Sequence, residues 1–305
     1  MRFLPRRKRT WALILAFGTV VVATLVILIQ PRARAALRLV HGFSALEVDA
    51  RVWFERGAEN MATAIATALP AAVARVESCQ SAPFRTSFRI YVCASHQSFT
   101  SHIGEPLGSP VRGIAFPWDI WISPKAFSFD RQDTHREALT HELSHLHLGQ
   151  LLGWWHRTKE VPSWFHEGLA DWVANTGHEL VSRREASEAI ISGHCIQLDG
   201  AGHLPFPKRP ESYGMTWPMF HAQSRMFVEY LRSRDPNAFA RFVDAVVHGA
   251  KFTTAFSLNF GGDLSHVWKD FLPTVSQEVA QATAFVRLGQ TVRCKTPSQE
   301  NFACA

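Results

Sequence analysis

The apolar positions fall into one unbroken run and several periodic ones. Trp11 to Ile29 is a stretch of 19 residues without a charge. As a helix it would extend about 28 Å, close to the hydrocarbon thickness of a bilayer. Beyond it the spacing is that of a globular chain. From Leu46 to about Ser78 an Ala-rich segment sets Val52, Trp53, Ala58, Met61 and Ile65 at near-helical intervals, which predicts a helix broken at Pro70. Residues 87–93 alternate and are rich in β-formers, so a strand is expected, followed by a short helix near Gln97–Ile103. Val111 to Ser123 holds two short extended runs around Pro117, with Trp118, Ile120 and Ile122 on one face: a strand pair or an edge strand.

A helix is then expected over about 131–152, with Leu139, Leu143 and Leu146 as its buried stripe and Gly153 as its stop. A loop at 154–161 leads to Pro162, a good first-turn residue for a helix through about Val173. The segment 195–218, rich in Pro and Gly, predicts a long irregular loop, and helices are expected near 219–233, 236–248, 264–271 and 274–287. Helix, small sheet and then mostly helices make an α+β domain.

Charge sharpens the reading of the apolar run. Residues 1–40 hold eight basic side chains and no acid. Removing those eight from 32 Lys+Arg leaves 24 against 26 Asp+Glu, so the +6 of the whole chain belongs to its N-terminus. Nucleic-acid binding is therefore not expected. Five cations precede the run and three follow it, which predicts an uncleaved single-pass anchor at 11–29 with the N-terminus cytoplasmic and the rest outside. A cleaved signal peptide is the competing reading, and Ala33-Arg34-Ala35 offers a site, but the run exceeds the usual apolar core of such peptides. The expected organisation is a basic segment 1–10, an anchor 11–29, a stem 30–45, a domain 46–288 and a tail 289–305. Five cysteines without a CxxC pair argue against a cysteine metal site, and Cys79 with Cys93 or Cys294 with Cys304 are the nearest pairs for a disulfide.

The chemistry is concentrated in two consecutive predicted helices. His141-Glu142-Leu143-Ser144-His145 places two imidazoles four residues apart, so both can face one metal ion. Glu142 is rotated by about 100° from His141, beside the metal and placed to take a proton. Glu167, in Trp164-Phe165-His166-Glu167-Gly168-Leu169-Ala170-Asp171, supplies the third ligand that two imidazoles need. Asp171, one turn on, can orient a ligand histidine through its outer nitrogen. A chance HExxH arises in roughly a few per cent of chains of such composition, and the helical Glu-x-x-x-Asp on the next helix lowers that further. His147 and His166 are expected to face away from the metal.

Here the chain resembles the gluzincin metallopeptidases, the zincin clan that contains thermolysin, and most closely the small peptidase-MA-like domains of bacterial envelope proteins. The resemblance spans 85–275, is strongest over 137–173, and has a weaker echo from His221 to Leu231. It implies a zincin-like domain with one Zn²⁺ per chain held by His141, His145 and Glu167. It also implies a peptide or protein substrate, Glu142 as general base and Asp171 as the carboxylate orienting a ligand histidine. The oxyanion needs a further donor, for which His221 and Tyr213 are the candidates; relatives often carry Tyr where this chain has His221. Substrate would lie extended along the edge strand within 111–122.

Two other function classes compete. An interaction module with a structural zinc would need a fourth protein ligand, usually Cys, and none lies near the motif. Intramembrane proteolysis conflicts with Arg131, Asp133, Arg136 and Glu137 beside the motif, which are too polar for lipid. The expectation is a membrane-anchored zinc peptidase working outside the cytoplasm.

Overall fold

The computed structural model describes residues 11, 14–15, 17–22, 24, 40–127, 133–177, 180–198 and 210–293, and for 155, 212, 213 and 281–293 the backbone alone. Two compact units are present: residues up to Val73 with Thr86–Leu146, and Ala74–Arg85 with His147 onward.

The first unit contains β1 (Phe43–Leu46), β2 (Asp49–Glu55), the first part of α1 (Glu59–Cys79), β3 (Arg89–Val92), α2 (His96–Ile103), β4 (Gly113–Ala115), β5 (Asp119–Ile122) and the first part of α3 (Thr134–Leu152). Its five strands form one mixed sheet in the order β1-β2-β3-β5-β4. The two central pairs are parallel, and β1 and β4 run antiparallel at the edges. The register aligns Val52, Ile90 and Ile120 across the sheet. With a side-chain period of two, this puts Val52, Ile90, Val92, Ile120 and Ile122 on one face, all fully buried. Ile65 and Leu69 of α1 and Leu139, Leu143 and Leu146 of α3 are likewise fully buried. The opposite face builds a second cluster of Tyr91, Cys93 and Trp121 with Phe99 and Ile103 of α2. Ser95 caps α2 by accepting from the Ser98 N–H, and Gly104 closes it in the left-handed region.

The helix expected from Leu46 is corrected. Residues 43–55 form the β1–β2 hairpin, and the helix begins at Glu59. Asp49-Ala50-Arg51-Val52-Trp53-Phe54-Glu55 satisfies the two-residue period as well as the helical one, and pairing with β3 decides between them. Arg51 bonds Asp49 at 2.6 Å and holds that carboxyl below the usual carboxylate range. Pro70 lies inside α1 and does not end it. A proline removes one ladder hydrogen bond, which burial of Ile65, Leu69, Ala72 and Val76 on the same helix outweighs.

The second unit is helical: α4 (Trp154–Glu160), α5 (Ser163–Ala174), α6 (Arg183–Ile191), α7 (Trp217–Arg234), α8 (Pro236–Val247), α9 (Phe252–Phe260) and α10 (Leu264–Arg293), with the ends of α1 and α3. Its core is aromatic, with Trp164, Phe165, Phe227, Phe242, Phe252, Phe256 and Phe271 below 2 % exposure. Phe242 meets Phe165, Phe252, Phe256 and Phe260 at ring centroid distances of 5.2–5.6 Å, all edge-on. The loop expected at 154–161 is helix α4, and the two helices expected at 264–287 are one, with Pro273 inside it. Helices α6 and α9 were not expected. The first announces itself by a capping box in which Ser182 and Glu185 satisfy each other's backbone N–H groups.

Among the described residues, no helix is long and apolar enough to cross a membrane. The expected anchor at 11–29 lies partly outside the described residues. Those of its residues that are described are helical, and Trp11, Leu15, Phe17 and Val20 are exposed. Most of the stem, 30–39, and the end of the tail, 294–305, also lie outside them.

Two outcomes follow from burial in the first unit. Burial pushes the Asp119 carboxyl above the ordinary carboxylate value, against the pull of Arg89. A raised carboxyl value means that burial disfavours the charged form, a cost to the fold that is present above the folded value and is lost as pH falls below the unfolded value of about 3.9. Asp119→Asn should therefore raise the melting temperature at pH 7, and the gain should shrink towards pH 4 in parallel thermal melts. The described cysteines Cys79, Cys93 and Cys195 are free thiols, so the nearest pair, Cys79 with Cys93, forms no disulfide. Burial, helped by Glu55, pushes the Cys93 thiol far up. Alkylation at about pH 8, close to the free thiol pKa, should label Cys79 and Cys195 in the native protein and reach Cys93 only after denaturation, as read by peptide mass spectrometry.

Candidate metal centre

Helix α3 carries the first half of the centre. Leu139, Leu143 and Leu146 bury one stripe, which turns His141 and His145 to the adjoining side. Their Nε2 atoms are 3.0 Å apart and the rings stand at 89° to each other. That geometry suits two imidazoles converging on one ion. Glu142 is buried at 9 % exposure. It packs against edge strand β4, where a Cβ built on Gly113 would lie 2.8 Å from Glu142 Cγ and 3.3 Å from Oε1. A side chain at position 113 would displace this carboxylate, so glycine there is a steric requirement.

Helix α5 carries the second half. Pro162 is its N-cap residue, one position before the first turn in which it was expected. Glu167 Oε2 is 3.9 Å from His221 Nε2, and Asp171 Oδ2 is 2.7 Å from His221 Nδ1. His221 comes from the second turn of α7, whose N-cap is Thr216. The approach of α5 to α7 is set by Gly168: a Cβ there would lie 2.5 Å from the Ser224 carbonyl oxygen. Helix axes come this close only where a small residue faces the partner backbone.

One ligand atom from each of His141, His145 and Glu167 lies within 4.8 Å of the other two, a group able to hold a metal ion. Two imidazole nitrogens and one carboxylate oxygen form a donor set used by zinc with a fourth position open. The remaining candidates fall as follows. Asp171, expected to orient a ligand histidine, hydrogen-bonds His221. Tyr213 ends a 3-10 turn, Pro210–Tyr213, and its side chain lies outside the described residues, as does part of the expected loop at 195–218. His147 is fully buried; its Nε2 hydrogen-bonds the Ala82 carbonyl at 2.9 Å and its Nδ1 the Gln80 amide at 2.6 Å. Burial holds its pKa below the ordinary imidazole value. His166 is not part of the His141, His145 and Glu167 group, and its Nδ1 lies 3.5 Å from Glu167 Oε1.

Gly113 and Gly168 are the site-shaping residues that sequence reasoning missed. The Glu167-Gly168 dipeptide was visible, but the backbone it approaches lies more than 50 residues downstream, at Ser224.

No family model matches the chain, and no curated protein matches it in sequence.

Proposed function

We propose that the protein is a zinc-dependent peptidase of the gluzincin type, anchored in a membrane by residues 11–29 with its folded part outside the cytoplasm. The observation that carries this reading is the His141, His145 and Glu167 group together with Glu142, which stands on the same helix as the two histidines. When bound, zinc supplies Lewis acidity towards the scissile carbonyl and makes water acidic enough to attack near neutral pH.

The chain's own groups then have definite tasks. Glu142 accepts the proton of the attacking water and returns it to the leaving amine, a role that its packing against β4 pre-positions. The β4 edge offers backbone groups for an extended substrate running alongside Gly113–Ala115. His221, held through Nδ1 by Asp171, turns Nε2 towards the Glu167 carboxylate and, as an imidazolium with hydrogen on both nitrogens, is the donor we assign to the oxyanion.

The anchor reading draws on the uncharged run and on local chemistry. Thr19 and Thr24 each donate a hydroxyl to the carbonyl four residues back, at 2.8 Å, which satisfies them without water.

The test uses the full-length protein in detergent. The expected results are one zinc per chain by elemental analysis, hydrolysis of members of a broad peptide library, and loss of hydrolysis on chelation with return on adding zinc. Zinc bound at full stoichiometry with no peptide cleaved would favour a structural zinc in an interaction module.

A further inference from the structure

Asp171 is 2 % exposed, and both of its carboxylate oxygens are engaged. Oδ2 pairs with His221 Nδ1 at 2.7 Å, and Oδ1 accepts the Thr176 hydroxyl at 2.9 Å. Thr176 belongs to a turn that closes directly over the carboxylate. Asn175 ends α5 in the left-handed region at φ 60°, and the Thr176 N–H donates to the Asp171 carbonyl at 2.8 Å. Gly177, at φ 91°, lies so close that a Cβ would sit 3.0 Å from the Asp171 carboxylate. Helix α7 ties this turn down. Arg225 stands four residues after His221, on the same helix face. Its Nη1 donates to the Thr176 carbonyl and its Nη2 to Asn175 Oδ1 at 2.9 Å, while Nε donates to Glu229 at 2.7 Å.

We propose that Thr176, in a turn braced by Arg225, is a positioning residue that aims Asp171 at His221 and thereby fixes which nitrogen of His221 faces the metal centre. A carboxylate bonded through one oxygen can swing about its last side-chain torsion, which is broad. The Thr176 hydroxyl on Oδ1 removes that freedom and leaves Oδ2 directed at Nδ1. Because the carboxylate has no proton to give, Nδ1 carries the hydrogen and Nε2 is turned towards Glu167, 3.9 Å away. The turn thus acts through Asp171 and does not itself touch the centre. Its catalytic meaning rests on the peptidase reading; the hydrogen-bond relay does not.

The experiment is proton NMR of the full-length protein with ¹⁵N-labelled histidine, in detergent and without metal. The native protein should show an Nδ1–H resonance downfield of the amides that is absent in His221→Gln. Thr176→Val should exchange that proton with solvent about tenfold faster, as expected for losing one hydrogen bond to a carboxylate, while Thr176→Ser should keep the native rate. Arg225→Gln should move exchange the same way. If Thr176→Val fails to fold by circular dichroism, Arg225→Gln alone carries the test. Absence of the resonance in the native protein, native exchange in folded Thr176→Val, or a Ser variant as fast as Val would each overturn the proposal. Native exchange in Arg225→Gln would do so as well. Zinc stoichiometry on parallel samples of the same proteins, supplied with zinc and then freed of excess, separates the two claims: a native protein that binds no zinc refutes the peptidase reading and leaves the relay standing. A relay that fails with zinc still bound does the reverse.

Discussion

Replacing Glu142 with Gln is expected to leave one zinc bound per chain and to slow peptide hydrolysis by about 100- to 10,000-fold, the contribution of a positioned general base. The argument is geometric before it is chemical. Glu142 is not among the three residues whose ligand atoms converge, so the amide removes no metal contact. The side chain lies against the Gly113 backbone at 9 % exposure, and Gln has the same length and shape. What changes is proton affinity: an amide oxygen does not take a proton near neutral pH. Zinc content by elemental analysis and kcat on the best library peptide are the two readouts. Loss of both together would mean that Glu142 supports the metal site, and undiminished turnover would remove it from the mechanism. His145→Ala provides the contrast, since it should lose zinc and activity together.

The second large effect belongs to Gly168. Substitution by Ala should destabilise the second unit by about 3 kcal/mol, at the upper end of the usual range for overpacking. For a folded region of this size that lowers the melting temperature by about 6–12 °C. The added methyl would meet the Ser224 carbonyl oxygen at 2.5 Å and its carbon at 2.7 Å, and these are main-chain atoms within helix α7. No rotamer change relieves such a clash, so α5 and α7 must move apart. The bond between Asp171 and His221 spans those same two helices and should lengthen with them. Differential scanning calorimetry checks the stability. The His221 Nδ1–H resonance checks the geometry, and it should broaden or vanish in the Gly168→Ala variant. Replacing Ser224 by Gly should not rescue it, because the obstacle is backbone. A melting temperature within a degree or two of the native value would show that the helices sit further apart than the structure has them.

Several elements were legible in the chain because their signal is local. The strand at β3, the helix α2, the hairpin of β4 and β5, and the buried stripe Leu139, Leu143 and Leu146 of α3 all follow from periodicity and caps. The misreadings share a cause. Asp49–Glu55 fits two periods, and only pairing with β3 chooses the strand. Pro70 and Pro273 look like helix ends in sequence, yet a proline inside a helix is tolerated when the burial on either side of it exceeds the one lost hydrogen bond.

For the candidate centre, the division is sharper. The identity and spacing of the donors can be read directly from the chain: two histidines one helical turn apart, a glutamate between them, and two further carboxylates, Glu167 and Asp171, one turn apart downstream. The sequence by itself determined the α+β class as well, because helical and alternating patterns follow one another along the chain. Tertiary structure alone decided what those side chains meet. It brought the ligand atom of Glu167 within 4.8 Å of those of the two histidines, laid Glu142 on the backbone of Gly113, and joined Asp171 to His221. The physical reason is that periodicity acts over one or two turns, whereas these contacts link residues tens of positions apart. Their partners are set by how closely two backbones can approach, and at Gly113 and Gly168 that distance depends on the absence of a side chain.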